Sequence, residues 1–72
     1  MMKHSLFLHT SIYDVECILQ AVDAFQTLAN IHIQPTEKYY ICDFTKCVHD
    51  ASVTKKEFEN YIIDLMNIYH DT

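Results

Sequence analysis

The sequence contains no glycine. Phosphate-cradling loops, dinucleotide fingerprints and nucleophile elbows all need backbone that only glycine tolerates at close approach, so each is excluded. Arginine is also absent, and the five lysines, Lys3, Lys38, Lys46, Lys55 and Lys56, are scattered against ten acidic residues. A formal charge of −5 without a basic patch argues against nucleic acid and against an anionic membrane surface. No apolar run approaches the roughly 18 residues needed to span a bilayer, and Leu6-Phe7-Leu8 is too short for a signal-peptide core. Cys17, Cys42 and Cys47 are odd in number and form no CxxC pair. Free thiols in a reducing, cytoplasmic compartment are the expectation.

What is present is apolar surface. Half of the 72 residues are hydrophobic, including five tyrosines and four phenylalanines, which is enough to fold one small domain spanning 1–72. A chain of this size buries roughly 60% of its unfolded surface, enough for one layer of helix on sheet. A deep catalytic cleft between lobes is not expected.

The clearest pattern lies between Val53 and Tyr69. Thr54 and Glu57 have the spacing of a capping box, with Val53 and Phe58 as a staple. Phe58, Tyr61, Ile62, Leu65, Ile68 and Tyr69 recur at three- and four-residue intervals and predict one apolar helix face. Lys55, Lys56, Glu59, Asn60, Asp64, Asn67 and Asp71 are assigned mainly to the remaining surface. Such a helix needs a flat partner, and the preceding chain supplies strands.

Lys3 to His9 alternates, with Leu6 and Leu8 on one face and Ser5, Phe7 and His9 on the other. Ser11 is the expected N-cap of a first helix beginning near Ile12, with Asp14 at its third position. Its apolar positions are Ile12, Val15, Ile18, Leu19, Val22, Phe25 and Leu28, and Asn30 is the expected terminator. Ile31 to Gln34 predicts a second strand with Ile31 and Ile33 inward. A turn at Pro35 to Lys38 then leads into a third strand, Tyr39 to Thr45. Because Asp43 is hard to bury, Tyr40, Cys42 and Phe44 are assigned to the core and Tyr39 and Ile41 to the wetter face. Residues 46–52 read as a polar loop.

The fold class is therefore α+β, in the order β-α-β-β-α. A right-handed crossover between strands one and two and a hairpin between two and three are both satisfied if strand three lies between one and two. The result is a three-stranded sheet of order 2-3-1 with two helices on one face, like a ferredoxin-like fold lacking its last strand. Strand one, at Lys3 to His9, becomes an unpaired edge open to docking.

Chemistry is weakly encoded. Cys42, Cys47 and His49, with His9 or His32 as a fourth donor, have zinc-type ligands but match no closed-site spacing, so neither metal nor cofactor is assigned. Cys47 with His49 lacks an orienting third group and oxyanion donors, and no catalytic residue is assigned. Glu57, Glu59 and Asp64 read as a solvated helix surface. The informative feature is the sheet face opposite the helices, expected to show Phe7, His9, His32, Tyr39 and Ile41. Aromatic and aliphatic side chains mixed with polar ones suit a protein or peptide interface.

Several stretches resemble the small His-Xaa-Ser system D-like (HxsD-like) proteins found with radical-SAM maturases of ribosomally made peptides. They are Ser11-Ile12-Tyr13, Ala21 to Phe25 with Ile31-His32-Ile33, Tyr39-Tyr40-Ile41, and Glu57-Phe58-Glu59-Asn60. The run Ile62-Ile63-Asp64-Leu65-Met66, with no arginine after it, departs from that pattern. The resemblance implies a non-catalytic accessory role in peptide maturation, with a precursor peptide or a radical-SAM maturase as partner. The iron–sulfur chemistry would belong to that maturase, since this chain has no CxxxCxxC motif. The precursor is then expected to add as a strand at Lys3 to His9, read by Phe7 and His9. The competing expectation is a homodimeric structural or regulatory module in which two strand-one edges pair.

Overall fold

The computed structural model describes residues 4–70, with the side chain of His70 left out. Lys3, the expected start of the first strand, and Asp71 lie outside the described residues. The elements are β1 (His4–His9), α1 (Val15–Ala24), β2 (Asn30–Pro35), β3 (Tyr39–Thr45) and α2 (Ala51–His70). The sheet order is β1-β3-β2, with β3 antiparallel to both neighbours. This is the predicted topology, and β3 has the predicted bounds.

The strand residues of the core are those the alternation placed inward, whereas Ile12, Val15 and Leu19 of the expected first-helix stripe are exposed. Leu8, Cys42 and Phe44 from the sheet are buried together with Cys17, Ile18 and Ala21 of α1 and Phe58 and Ile62 of α2. Phe58 is the hub: its ring meets Phe25 at 5.4 Å and Phe44 at 5.2 Å, both edge to face. That geometry adds about 0.5–1.5 kcal/mol per pair to the area the rings bury. One α2 residue thereby joins the end of α1 to the central strand. Tyr13, in the turn before α1, adds a polar link to α2, its hydroxyl donating to Glu59 Oε2 at 3.3 Å. Burial and the nearby Glu59 carboxylate raise the phenol's pKa.

Both helix starts differ from the expectation. α1 begins at Val15, capped by Asp14, whose Oδ1 accepts the Glu16 N–H at 3.0 Å. Ser11 instead turns back to His9, and the N–H groups of Ile12 and Tyr13 both donate to the His9 carbonyl at 3.0 Å. This tight turn satisfies the end of β1 before the helix can begin. α1 also ends earlier, at Ala24 with Phe25 as C-cap, and Asn30 is the first residue of β2, opposite Thr45.

α2 begins at Ala51, two residues before the expected start and inside the stretch read as loop. Asp50 serves as its cap: Oδ2 accepts the Val53 N–H at 3.3 Å, and the carbonyl accepts the Thr54 N–H at 3.0 Å. Thr54 lies one turn inside, only 4% exposed, and its hydroxyl donates to the Asp50 carbonyl. The Thr54–Glu57 capping box therefore does not form, and Val53 is exposed rather than stapled to Phe58. The apolar stripe splits along its length. Phe58 and Ile62 are buried, whereas Tyr61, Ile68 and Tyr69 are exposed. A 20-residue helix runs about 30 Å, longer than the strands of six or seven residues it covers. Its last turns outreach the sheet and are tied back through Tyr69 and Gln20, whose hydroxyl and amide groups pair at 3.1 Å.

In the turn leading to α2, Lys46 holds a left-handed φ of 51°. In most chains glycine takes such a position; here a lysine must.

Candidate sheet-face interface

The residues opposite the helices form rows fixed by the strand register. Ser5 lies opposite Asp43, which lies opposite His32; Phe7 lies opposite Ile41, which lies opposite Gln34; His9 lies opposite Tyr39. Phe7 is 57% exposed and Tyr39 38%. Their rings meet edge to face at 5.8 Å, and the His9 ring meets Tyr39 at 5.3 Å. Ile41 is half-buried at the centre of the face. The structure thus gathers Phe7, His9, Tyr39 and Ile41 into one patch and leaves His32 apart, exposed beside Asp43.

Polar neighbours fix the patch. His9 Nδ1 accepts the Ser11 N–H at 3.2 Å and lies 2.8 Å from Ser11 Oγ. The N–H contact requires a lone pair on Nδ1, so neutral His9 carries its proton on Nε2. Asp43 accepts a 2.6 Å hydrogen bond from Ser5 Oγ, which orients one carboxylate oxygen across the strands. Ser5 and Gln34 belong to this face although sequence reasoning left them out of the site. Their alternation with Phe7 and His32 was the available signal, whereas their partners across β3 follow only from the register.

The edges carry the second kind of binding group, backbone N–H and C=O. The Thr10 N–H donates to the Lys38 carbonyl at 2.8 Å, one step beyond the His9–Tyr39 pair. Even-numbered β1 residues therefore bond to β3, and Ser5, Phe7 and His9 point their backbone outward. That outward row is already engaged at both ends. Lys55 Nζ donates to the Ser5 carbonyl at 3.5 Å, and the turn after β1 occupies the His9 carbonyl. Strand one is an edge as expected, but a lysine guards it.

The cysteines do not build a site. Cys17 and Cys42 are buried, and burial raises both thiols, Cys42 to about 12, so neither supplies a thiolate near neutral pH. Cys47 and His49 line a shallow cleft with His4 and Lys46, whereas Cys42 is buried in the core. Among the described residues no three His, Cys, Asp or Glu side chains gather in a way that could hold a metal ion. No helix among them is long and apolar enough to cross a membrane.

What fold and site define is a helix-on-sheet α+β domain with one bare, aromatic sheet face. Comparison with protein-family models, curated proteins and solved structures gave no match to any of the three.

Proposed function

We propose that this chain is a non-catalytic binding module that docks a protein or an extended peptide on its open sheet face. The observation carrying this reading is the Phe7–Tyr39–His9 contact beside Ile41, an aromatic patch held in place by cross-strand packing and left uncovered by both helices. Preformed aromatic surface with polar groups at its margin is favoured at interfaces because little side-chain freedom is lost on binding. The face is preferred over the β1 edge, whose outward carbonyls at Ser5 and His9 already have donors. The sequence resemblance to HxsD-like proteins supports a role beside a radical-SAM maturase, with the maturase or its precursor peptide as the docked partner.

Mild affinity purification of the tagged protein from its native cells, with partners identified by mass spectrometry, tests this. A radical-SAM enzyme or short precursor peptide should be retained by the wild type and lost with Phe7→Asp, an exposed substitution that leaves the core intact. Equal retention by both proteins would remove the sheet face from the mechanism.

A further inference from the structure

The other edge of the sheet is unlike the first. The Thr36 N–H donates to the Tyr39 carbonyl at 2.7 Å, in register with the β2–β3 pairs. Asn30, His32 and Gln34 therefore bond to β3, and Ile31, Ile33 and Pro35 turn their backbone groups outward. Pro35 costs no ladder bond there, because the missing N–H would face away from β3. Ile31 and Ile33 each offer one N–H and one C=O to the edge, and among the described residues no side chain bonds to them. Asn30–Pro35 also contains no Asp, Glu or Lys, so the usual charged guard of an edge is missing.

Two features indicate what fits. The strand reads Asn30-Ile31-His32-Ile33-Gln34, which is nearly the same in both directions about His32. An antiparallel copy centred on His32 sets Ile31 against the copy's Ile33 on the helix side, and Asn30 against its Gln34 on the open side. Each isoleucine pair exchanges two backbone hydrogen bonds, four in all by the antiparallel pattern. The second feature lies above the edge, where a cleft of about 280 Å³ is lined by Val22, Gln26 and Ala29 together with Ile31. On α1 the Val22 face continues through Leu19, 55% exposed, and Val15, 37% exposed. An added peptide strand would cover the edge and leave this helical strip in water. A second copy covers both, because its own α1 arrives above its own β2.

We propose that two copies of this chain join their β2 edges antiparallel about a twofold axis at His32, while the Val15–Leu19–Val22 strips of their α1 helices pack together above. The result is a continuous six-stranded sheet whose open face carries two Phe7–Tyr39–His9 patches. Each copy bears a charge of −5, but the joined edge is uncharged and the repulsion is spread over screened surface. The interface is isologous and closes on itself, so assembly stops at two. It is independent of what binds the open face.

Sedimentation equilibrium over a wide concentration range tests the assembly. The wild type should approach twice its 8.5 kDa mass as concentration rises. Leu19→Glu and Ile33→Pro should each raise the dimer dissociation constant by about tenfold or more. Both keep the β2–β3 ladder, since Leu19 is on the surface and the Ile33 N–H points outward; an unchanged far-UV circular dichroism spectrum verifies folding. Phe7→Asp on the open face should dimerise as the wild type does. A wild type that stays at 8.5 kDa throughout overturns the proposal. So does a dimer that survives Leu19→Glu, or one that dissociates with Phe7→Asp, which would place the contact on the open face. A monomer that instead takes up an added peptide at β2 overturns it in favour of strand addition.

Discussion

The two faces of β3 are built from the same seven residues and meet opposite environments. Tyr40, Cys42 and Phe44 pack under the helices, whereas Tyr39, Ile41 and Asp43 face outward with Phe7 and His9. The covered face is knitted by aromatic contacts from three elements, Phe25, Phe44 and Phe58. The open face is held by pairs within the sheet: Phe7 on Tyr39, His9 on Tyr39, Ser5 on Asp43. Stability should therefore concentrate on one side and recognition on the other.

The largest effect expected from breaking this asymmetry is at Phe58. Phe58→Ala removes the hub of the covered face and should cost about 3–5 kcal/mol in urea unfolding. A 72-residue domain has on the order of 4–11 kcal/mol in total, so the variant should be partly unfolded at physiological temperature. Phe7→Ala, deleting an equally large ring on the open face, should cost about 1 kcal/mol or less, since its contacts are an exposed edge-to-face pair. Comparable losses at the two positions would mean that the open face is a second core.

A smaller effect separates the faces by pH. Burial raises the Cys42 thiol from 9.0 to about 12, so the folded chain holds that proton more tightly than the unfolded chain. The associated stability is complete below pH 9 and is lost as pH rises toward about 12. Cys17 and Tyr13, also raised, push in the same direction. Urea midpoints measured at neutral and alkaline pH should fall for the wild type and fall less steeply for Cys42→Ala. Smallest of all, Lys46→Gly should raise stability by up to about 1 kcal/mol by relieving the left-handed backbone, partly offset by a more flexible unfolded chain. A thermal melt beside the wild type checks it.

The strands and their order were legible because two signals agreed. Period-two alternation marked Tyr40, Cys42 and Phe44 as inward, and a parallel crossover joined to an antiparallel hairpin is satisfied with β3 in the middle. The helix starts were not legible, because each offers two competent caps. Ser11 and Asp14 are three residues apart, and Asp50 and Thr54 are four. Local preference cannot rank them when His9 claims Ser11 and burial turns the Thr54 hydroxyl onto the Asp50 carbonyl. At the site, face membership could be read from alternation, but neighbours could not. That His32 sits beside Asp43, away from the aromatic patch, depends on a register that no single residue specifies. The guard on β1 was equally hidden, since Lys55 lies 50 positions from Ser5.

The central place of β3 also orders events in time. β1 and β2 each pair only with β3, so no ladder of this sheet can close until Tyr39–Thr45 is available. During synthesis from the N-terminus, more than half the chain emerges before any strand has a partner, with only α1 able to form from local contacts. Lys55, which guards the β1 edge in the folded chain, follows β3 in sequence and emerges later still. Until then both waiting strands present open edges to other chains.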